Sequence, residues 1–207
     1  MTSNDKTARL DADALRQVTG GTGSVMPDRL NGNSAPNIFF GQAGNDTILA
    51  AGGNDSVYAG ADNDQVGGGD GNDIVSGDAG NDTVVGNAGN DTAYGGEGSD
   101  IIAGGTGADL IYGGGGSDQI HWTRGDGNDT IHGGDGTDVL VIESTSLTLQ
   151  QVLNGIRLDS GSAQPRIENN AIVLTGVSGT LTIGNETITF SQLERLVVGP
   201  AASIPNR

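Results

Sequence analysis

The chain of 207 residues carries a formal charge of −17 and 38 glycines, with no cysteine and 3% aromatic residues. That charge repels nucleic acid and anionic lipid and attracts cations, the lack of cysteine excludes disulfides and thiolate metal sites, and no apolar run is long enough for a membrane-spanning helix. The charge is concentrated: residues 41–141 hold 17 of the 26 acidic residues and one basic residue, Arg124, a local charge of −16.

In chain order, Leu10 to Thr19 reads as a short helix stopped by Gly20-Gly21. Leu10, Leu15, Val18, Gly20 and Gly21 fall at the spacing L-S-x-x-E-L-x-x-I-x-G-G. This resembles the double-glycine leader that directs bacteriocin-type precursors to ABC exporters carrying a cysteine-peptidase domain. Asp11 stands where that leader has Ser, and Ala14 where it has Glu. The resemblance implies cleavage after Gly21; a surface helix with a glycine cap is the alternative reading of the same residues. Residues 1–21 are thus read as leader-like and residues 22–31 as a linker. No basic start followed by an apolar stretch marks a Sec-type signal peptide. Gly32 to Phe40 keeps the frame of the units that follow, with Asn37 in place of an aspartate and Phe39 at the buried position. It is read as a degenerate first repeat.

From there an aspartate recurs every nine residues: Asp46, Asp55, Asp64, Asp73, Asp82, Asp91, Asp100, Asp109 and Asp118. After a two-residue insertion, placed at Trp122-Thr123, the series resumes at Asp129 and Asp138. Two residues past each aspartate stands an apolar residue, from Ile48 and Val57 to Ile131 and Leu140. Glycine precedes the aspartate by two residues at Gly44, Gly53, Gly71, Gly80, Gly89, Gly98, Gly107, Gly116, Gly127 and Gly136; Asp62 breaks the series. Such a period is neither helix nor hairpin. It marks a solenoid with one short strand and one turn per unit. Glycine richness, charge and few aromatics otherwise describe a disordered chain, and one small aliphatic per unit is weak hydrophobic support. An ion that binds only the folded form supplies the missing stabilisation. A low-complexity tract that binds nothing does not explain an aliphatic residue at a fixed offset from every aspartate. The outward positions, such as Thr47, Gln65, Ile74 and Leu110, are too mixed for the regular threonine ladder of an ice-binding face.

Beyond Val141 the runs Ile172–Leu174, Gly179–Ile183 and Glu186–Phe190 suggest short strands, with a helical turn around Leu147–Leu153 and a last strand at Leu193–Val198. Residues 142–207 are expected to be β-rich and to cover the open end of the solenoid.

The unit resembles the nonapeptide G-G-x-G-x-D-x-U-x of the RTX (repeats-in-toxin, hemolysin-type) family over residues 41–141. Best preserved are GGDGNDIVS at 68–76, GGEGSDIIA at 95–103 and GGTGADLIY at 104–112. The resemblance implies an all-β fold, a right-handed parallel β-roll over residues 32–141 with two units per turn. Asp46, Asp64, Asp82, Asp100 and Asp118 would line one edge, and Asp55, Asp73, Asp91 and Asp109 the other. It further implies calcium between stacked turns, held by these aspartates, Asp129, Asp138 and carbonyl oxygens of the glycine-rich segments, including those at Gly44, Gly53, Gly71, Gly80, Gly89, Gly98, Gly107 and Gly116. Hard oxygen ligands in tolerant geometry suit calcium better than magnesium, and nine contiguous units give seven stacked pairs, hence about seven ions in the main run.

RTX proteins more often resemble one another in having an uncleaved C-terminal type I secretion signal. The tail Val197–Arg207 is poor in charge, as such a signal is, but ends Ile204-Pro205-Asn206-Arg207 without a terminal apolar cluster. The expected protein is therefore bacterial, exported by an ABC exporter, and structural or adhesive at the cell surface or matrix, with a surface polymer as possible partner. The alternative is a secreted effector or bacteriocin-like factor whose active element is 142–207. No catalysis is expected: H-E-x-x-H and G-x-S-x-G are absent. His121 and His132 could be neighbours beside Trp122, yet they are too few donors for zinc.

Overall fold

The nine-residue unit is a strand of five to seven residues and a short turn, with the apolar residue two past the aspartate buried. Two positions of the unit take positive φ, for instance Gly69 (109°) near the end of a strand and Gly71 (138°) in the turn after it, which glycine adopts without a steric penalty. The computed structural model describes residues 7–9, 16–19, 26–159 and 164–199. Its strands are β1 (Thr7–Arg9), β2 (Arg16–Thr19), β3 (Arg29–Asn33), β4 (Asn37–Ala43), β5 (Thr47–Ala51), β6 (Ser56–Ala61), β7 (Gln65–Asp70) and β8 (Ile74–Ala79). They continue as β9 (Thr83–Ala88), β10 (Thr92–Gly98), β11 (Ile101–Thr106), β12 (Leu110–Gly116), β13 (Gln119–Thr123), β14 (Thr130–Gly136) and β15 (Val139–Glu143).

Alternate strands pair in parallel. One side stacks β3, β5, β7, β9, β11, β13 and β15, and the other β4, β6, β8, β10, β12 and β14. Val66 pairs with Val84 and Val57 with Val75, so two units make one coil, as the roll requires. Ala103 still pairs with His121 at this step, whereas Gly107 bridges Gly127. The insertion therefore falls between His121 and Gly127; Trp122 and Thr123 remain in β13, and Arg124-Gly125 form a turn. Phe39, Ile48, Val57, Val66, Val75, Val84, Ala93, Ile102, Ile111, Ile120, Ile131 and Leu140, the strand centres, alternate between the two sides and are all buried in one core.

The N-terminal segment differs from expectation. Arg16–Thr19 is a strand and not the end of a helix: β2 runs parallel to β4, and β1 to β3. The first coil offers unpaired backbone edges, and a short segment ending Gln17-Val18-Thr19 satisfies one of them. The rest of the expected helix, and Gly20 and Gly21, lie outside the described residues. β3 likewise begins inside the expected linker. Asp28 and buried Leu30 stand nine residues before Asn37 and Phe39, so a further unit precedes the degenerate one.

The C-terminal cap comprises α1 (Leu149–Gly155), β16 (Ile156–Leu158), β17 (Arg166–Glu168), β18 (Ala171–Ile183) and β19 (Glu186–Gly199). Thr148 and Gln151 form a capping box that starts α1. The short strands read from sequence merge into the long antiparallel pair β18/β19, which is irregular between Val173 and Gly179. β19 pairs with β14 through Thr130↔Thr189 and with β15 through Val139↔Arg195. One strand thus closes both sides of the roll. Among the described residues no helix is long and apolar enough to cross a membrane.

Candidate metal centre

Parallel stacking at a fixed register brings each aspartate over the one a coil earlier. On one edge the backbone N–H of Asp46 donates to Asp64 Oδ1 (2.6 Å), Asp64 to Asp82 (2.8 Å), Asp82 to Asp100 (2.8 Å) and Asp100 to Asp118 (2.9 Å). On the other, Asp55 donates to Asp73 (2.7 Å), Asp73 to Asp91 (2.8 Å) and Asp91 to Asp109 (2.8 Å). The ladder crosses the insertion unbroken, from Asp109 to Asp129 (2.8 Å) and from Asp118 to Asp138 (3.0 Å). Asp28 and Asn37 begin it as donors to Asp46 and Asp55, and Glu194 of the cap ends it by accepting the Asp138 N–H at 2.7 Å.

The second carboxylate oxygen is different. Oδ2 of Asp46, Asp55, Asp64, Asp73, Asp82, Asp91, Asp100, Asp109, Asp118 and Asp138 is buried with no hydrogen-bond partner. Burial pushes the carboxyls up to about 7 at Asp55, Asp64, Asp82 and Asp91, and to about 6 at Asp46, Asp109, Asp118 and Asp129. Asp73, Asp100 and Asp138 are raised for the same reason. The accepted backbone N–H opposes this shift without cancelling it. At Asp129 the Oδ2 accepts the Trp122 Nε1–H at 2.8 Å.

A buried, unpaired anionic oxygen is costly unless a cation faces it. The surroundings fit one. A Cβ on Gly77 would lie 2.4 Å from Asp82 Oδ2 and 2.6 Å from the Gly95 carbonyl oxygen. On Gly86 it would lie 2.4 Å from both Asp91 Oδ2 and the Gly104 carbonyl oxygen. The first glycine of a unit therefore keeps open a space bounded by hard oxygen donors of the kind calcium takes. Among the described residues no three His, Cys, Asp or Glu side chains cluster as a metal site. An ion here would complete its shell with main-chain oxygens.

The sequence reading emphasised the glycine two before each aspartate and missed this first glycine, although Gly68, Gly77, Gly86, Gly95, Gly104 and Gly113 recur in the same frame. Gly44, Gly53, Gly71, Gly80, Gly89, Gly98, Gly107 and Gly116 all take positive φ and shape the turn. Gly89 is the tightest of these, since a Cβ there would lie 1.6 Å from the Gly71 carbonyl oxygen. Where Asp62 replaces glycine it keeps positive φ (79°), and its Oδ2 accepts the Gly44 N–H at 3.1 Å. A second ladder was also missed. Exposed Asn54 Oδ1 accepts the N–H of Asn72, and Asn63 and Asn72 do the same for Asn81 and Asn90, signalled only by the Asn that precedes each Asp from Asp46 to Asp91.

The histidines lie on opposite sides of the roll, His121 in β13 and His132 in β14. His121 Nδ1 is 2.9 Å from Glu143 Oε1, both residues buried, and Thr123 Oγ1 donates to Glu143 Oε2 at 2.9 Å. His132 Nδ1 lies 2.6 Å from Ser191 Oγ.

The profile of the RTX calcium-binding nonapeptide repeat (four copies) matches residues 31–66, 60–93, 67–102, 94–121 and 125–141, just over half of the chain. No curated protein matches. Among solved structures, the crystal structure of extracellular lipase LipA from Serratia marcescens is similar at 15% sequence identity and a TM-score of 0.34. The match covers 82% of this chain and 38% of the lipase, so the chain spans well under half of that protein's length. The nine-residue frame, the parallel coils with two units each and the profile match agree: the chain belongs to the RTX calcium-binding nonapeptide repeat family.

Proposed function

We propose that this is a secreted bacterial protein that leaves the cell through an ABC exporter in a type I-like manner and folds outside on binding about seven calcium ions. Its role is structural or adhesive, at the cell surface or in the matrix, and it is not catalytic. The leader-like start, with cleavage after Gly21, belongs to the same reading. The observation that carries it is the row of buried Oδ2 atoms without partners. Such a row opposes folding until a cation neutralises it, and a ligand that binds only the folded form drives folding. Cytosolic free calcium near ~10⁻⁷ M leaves sites of ~10⁻⁴–10⁻³ M affinity empty, so the same chain stays open inside and closes outside. The rival, an effector whose active element is 142–207, is disfavoured by the pairing of β19 with both β14 and β15, which supports a capping role for that segment.

Calcium titration followed by circular dichroism, with native mass spectrometry of the end point, tests the reading. The β signal should rise cooperatively with calcium and the ion count should approach the number of stacked pairs. A β spectrum unchanged by chelator overturns it.

A further inference from the structure

The sheet of β4, β6, β8, β10, β12 and β14 carries a row of rings on its outer face. Phe40, Tyr58, Ser76, Tyr94, Tyr112 and His132 occupy one register position, one residue per coil. Phe40 stacks on Tyr58 with ring centroids 5.4 Å apart, Tyr94 on Tyr112 at 5.0 Å, and Tyr112 on His132 at 4.9 Å, all within 17° of parallel. The row is broken once, at Ser76. Tyr58 and Tyr94 flank the break two coils apart, or about 10 Å at ~4.8 Å per strand, which leaves room for one planar group stacked on both rings. Both are among the exposed large side chains, at 37% and 39%.

The rest of the gap has a definite chemistry. Ser76 is its buried floor, and Ser76 Oγ donates to Asp78 Oδ1 at 2.6 Å. Asp78 is exposed at the end of the gap, and its register neighbours Gly60 and Gly96 have no side chains to cover it. Exposed Ile74 closes the other end. Among the described residues Asp78 takes part in no ion pair.

We propose that this gap binds the guanidinium of an arginine side chain from a partner polypeptide, stacked between Tyr58 and Tyr94 and paired with the Asp78 carboxylate. A neutral ring would satisfy the stacking and leave Asp78 unused, while an ammonium would pair with Asp78 but has no plane to insert. Guanidinium does both, being planar, cationic and able to pair through two N–H groups. The attraction for a cation is local, from the exposed Asp78 carboxylate, because about seven bound calcium ions offset about 14 of the 17 formal negative charges. The two tyrosines lie on a sheet face, and Asp78 joins that face to the aspartate row, where its charge is felt at Asp82. The site requires the folded roll but not the adhesive reading.

The test uses the full chain in saturating calcium, with circular dichroism to confirm the fold. Ring resonances of the tyrosines are followed by NMR during titration with a capped tripeptide bearing a central arginine. Matched peptides carry lysine, citrulline or tryptophan instead. The arginine peptide should shift Tyr58 and Tyr94 and leave Tyr112 nearly unmoved. Citrulline and lysine should bind about tenfold more weakly, as should the arginine peptide to Asp78→Asn. Ser76→Tyr fills the missing rung and should abolish binding; Tyr94→Ala provides the same test if that variant does not fold. Equal binding by citrulline, tighter binding by tryptophan, or undiminished binding by the filled or the Tyr94→Ala variant overturns the proposal.

Discussion

Asp82 accepts the backbone N–H of Asp64 through Oδ1 at 2.8 Å, while its Oδ2 is buried without a partner. One carboxylate therefore does two jobs, with one oxygen building the coil and the other offered to an ion. Asp82→Asn retains an acceptor for the Asp64 N–H and removes the charge. It should lower the ion count and raise the calcium midpoint while leaving the calcium-free form no less stable. Asp82→Ala also strands the Asp64 N–H and should cost about 1–3 kcal/mol in either form. Calorimetric calcium titration paired with thermal melts distinguishes the two variants.

Acidity should act in opposite directions on the two forms. The folded-state values of about 6 to 7 lie above the ordinary 3.8, so the calcium-free roll holds protons that the unfolded chain releases. Stability from these groups is full below about 3.8 and is lost as pH rises through about 6 to 7. Calcium needs the ionised carboxylates, so its affinity should fall as pH drops through the same window. Melting temperatures in chelator and in calcium, measured from acid to mildly alkaline pH, should show these opposed slopes.

Turn positions differ in what they tolerate. Gly89 combines φ of 138° with a carbonyl oxygen 1.6 Å from any Cβ, so Gly89→Ala should lose more than about 2 kcal/mol. Ala51 shows the converse, since it occupies a turn position with φ of 81°. Relief of a left-handed alanine, offset by the greater freedom of glycine when unfolded, should make Ala51→Gly stabilising by about 0.5–1 kcal/mol. Denaturant melts in calcium measure both changes.

The cap should matter for solubility as much as for stability. Leu196 is fully buried where β19 meets β15, and Leu196→Ala should cost about 2–5 kcal/mol. A chain ending at Glu143 keeps β15 whole, leaves the edges of β14 and β15 open and should self-associate in calcium. Light scattering of the shortened and full chains provides the comparison.

The repeat was legible because position and chemistry recur together. Asp46 to Asp138 gave the edges, and Ile48 to Leu140 gave the inner row. Asp28 and Leu30 were hidden because Met26, and not glycine, stands two before Asp28, so the unit lacks its turn signature. The strand at Arg16–Thr19 depends on an edge that exists only after the first coil folds, which no local propensity encodes. The double pairing of β19 is likewise tertiary: separate strands could be read at Glu186–Phe190 and Leu193–Val198, but not that one continuous strand spans both sides. Ser76 looked ordinary until the register placed it between two tyrosines.

Trp122 is the chain's single tryptophan, 1% exposed, with its Nε1–H committed to Asp129 in the coil next to the cap. The molecule thus carries its own fluorophore at one end of the stack. A red shift of its emission reports solvent reaching that last coil, whereas far-ultraviolet signals average over every coil. Comparing the two during calcium withdrawal would reveal whether the stack unzips from the capped end or from the other.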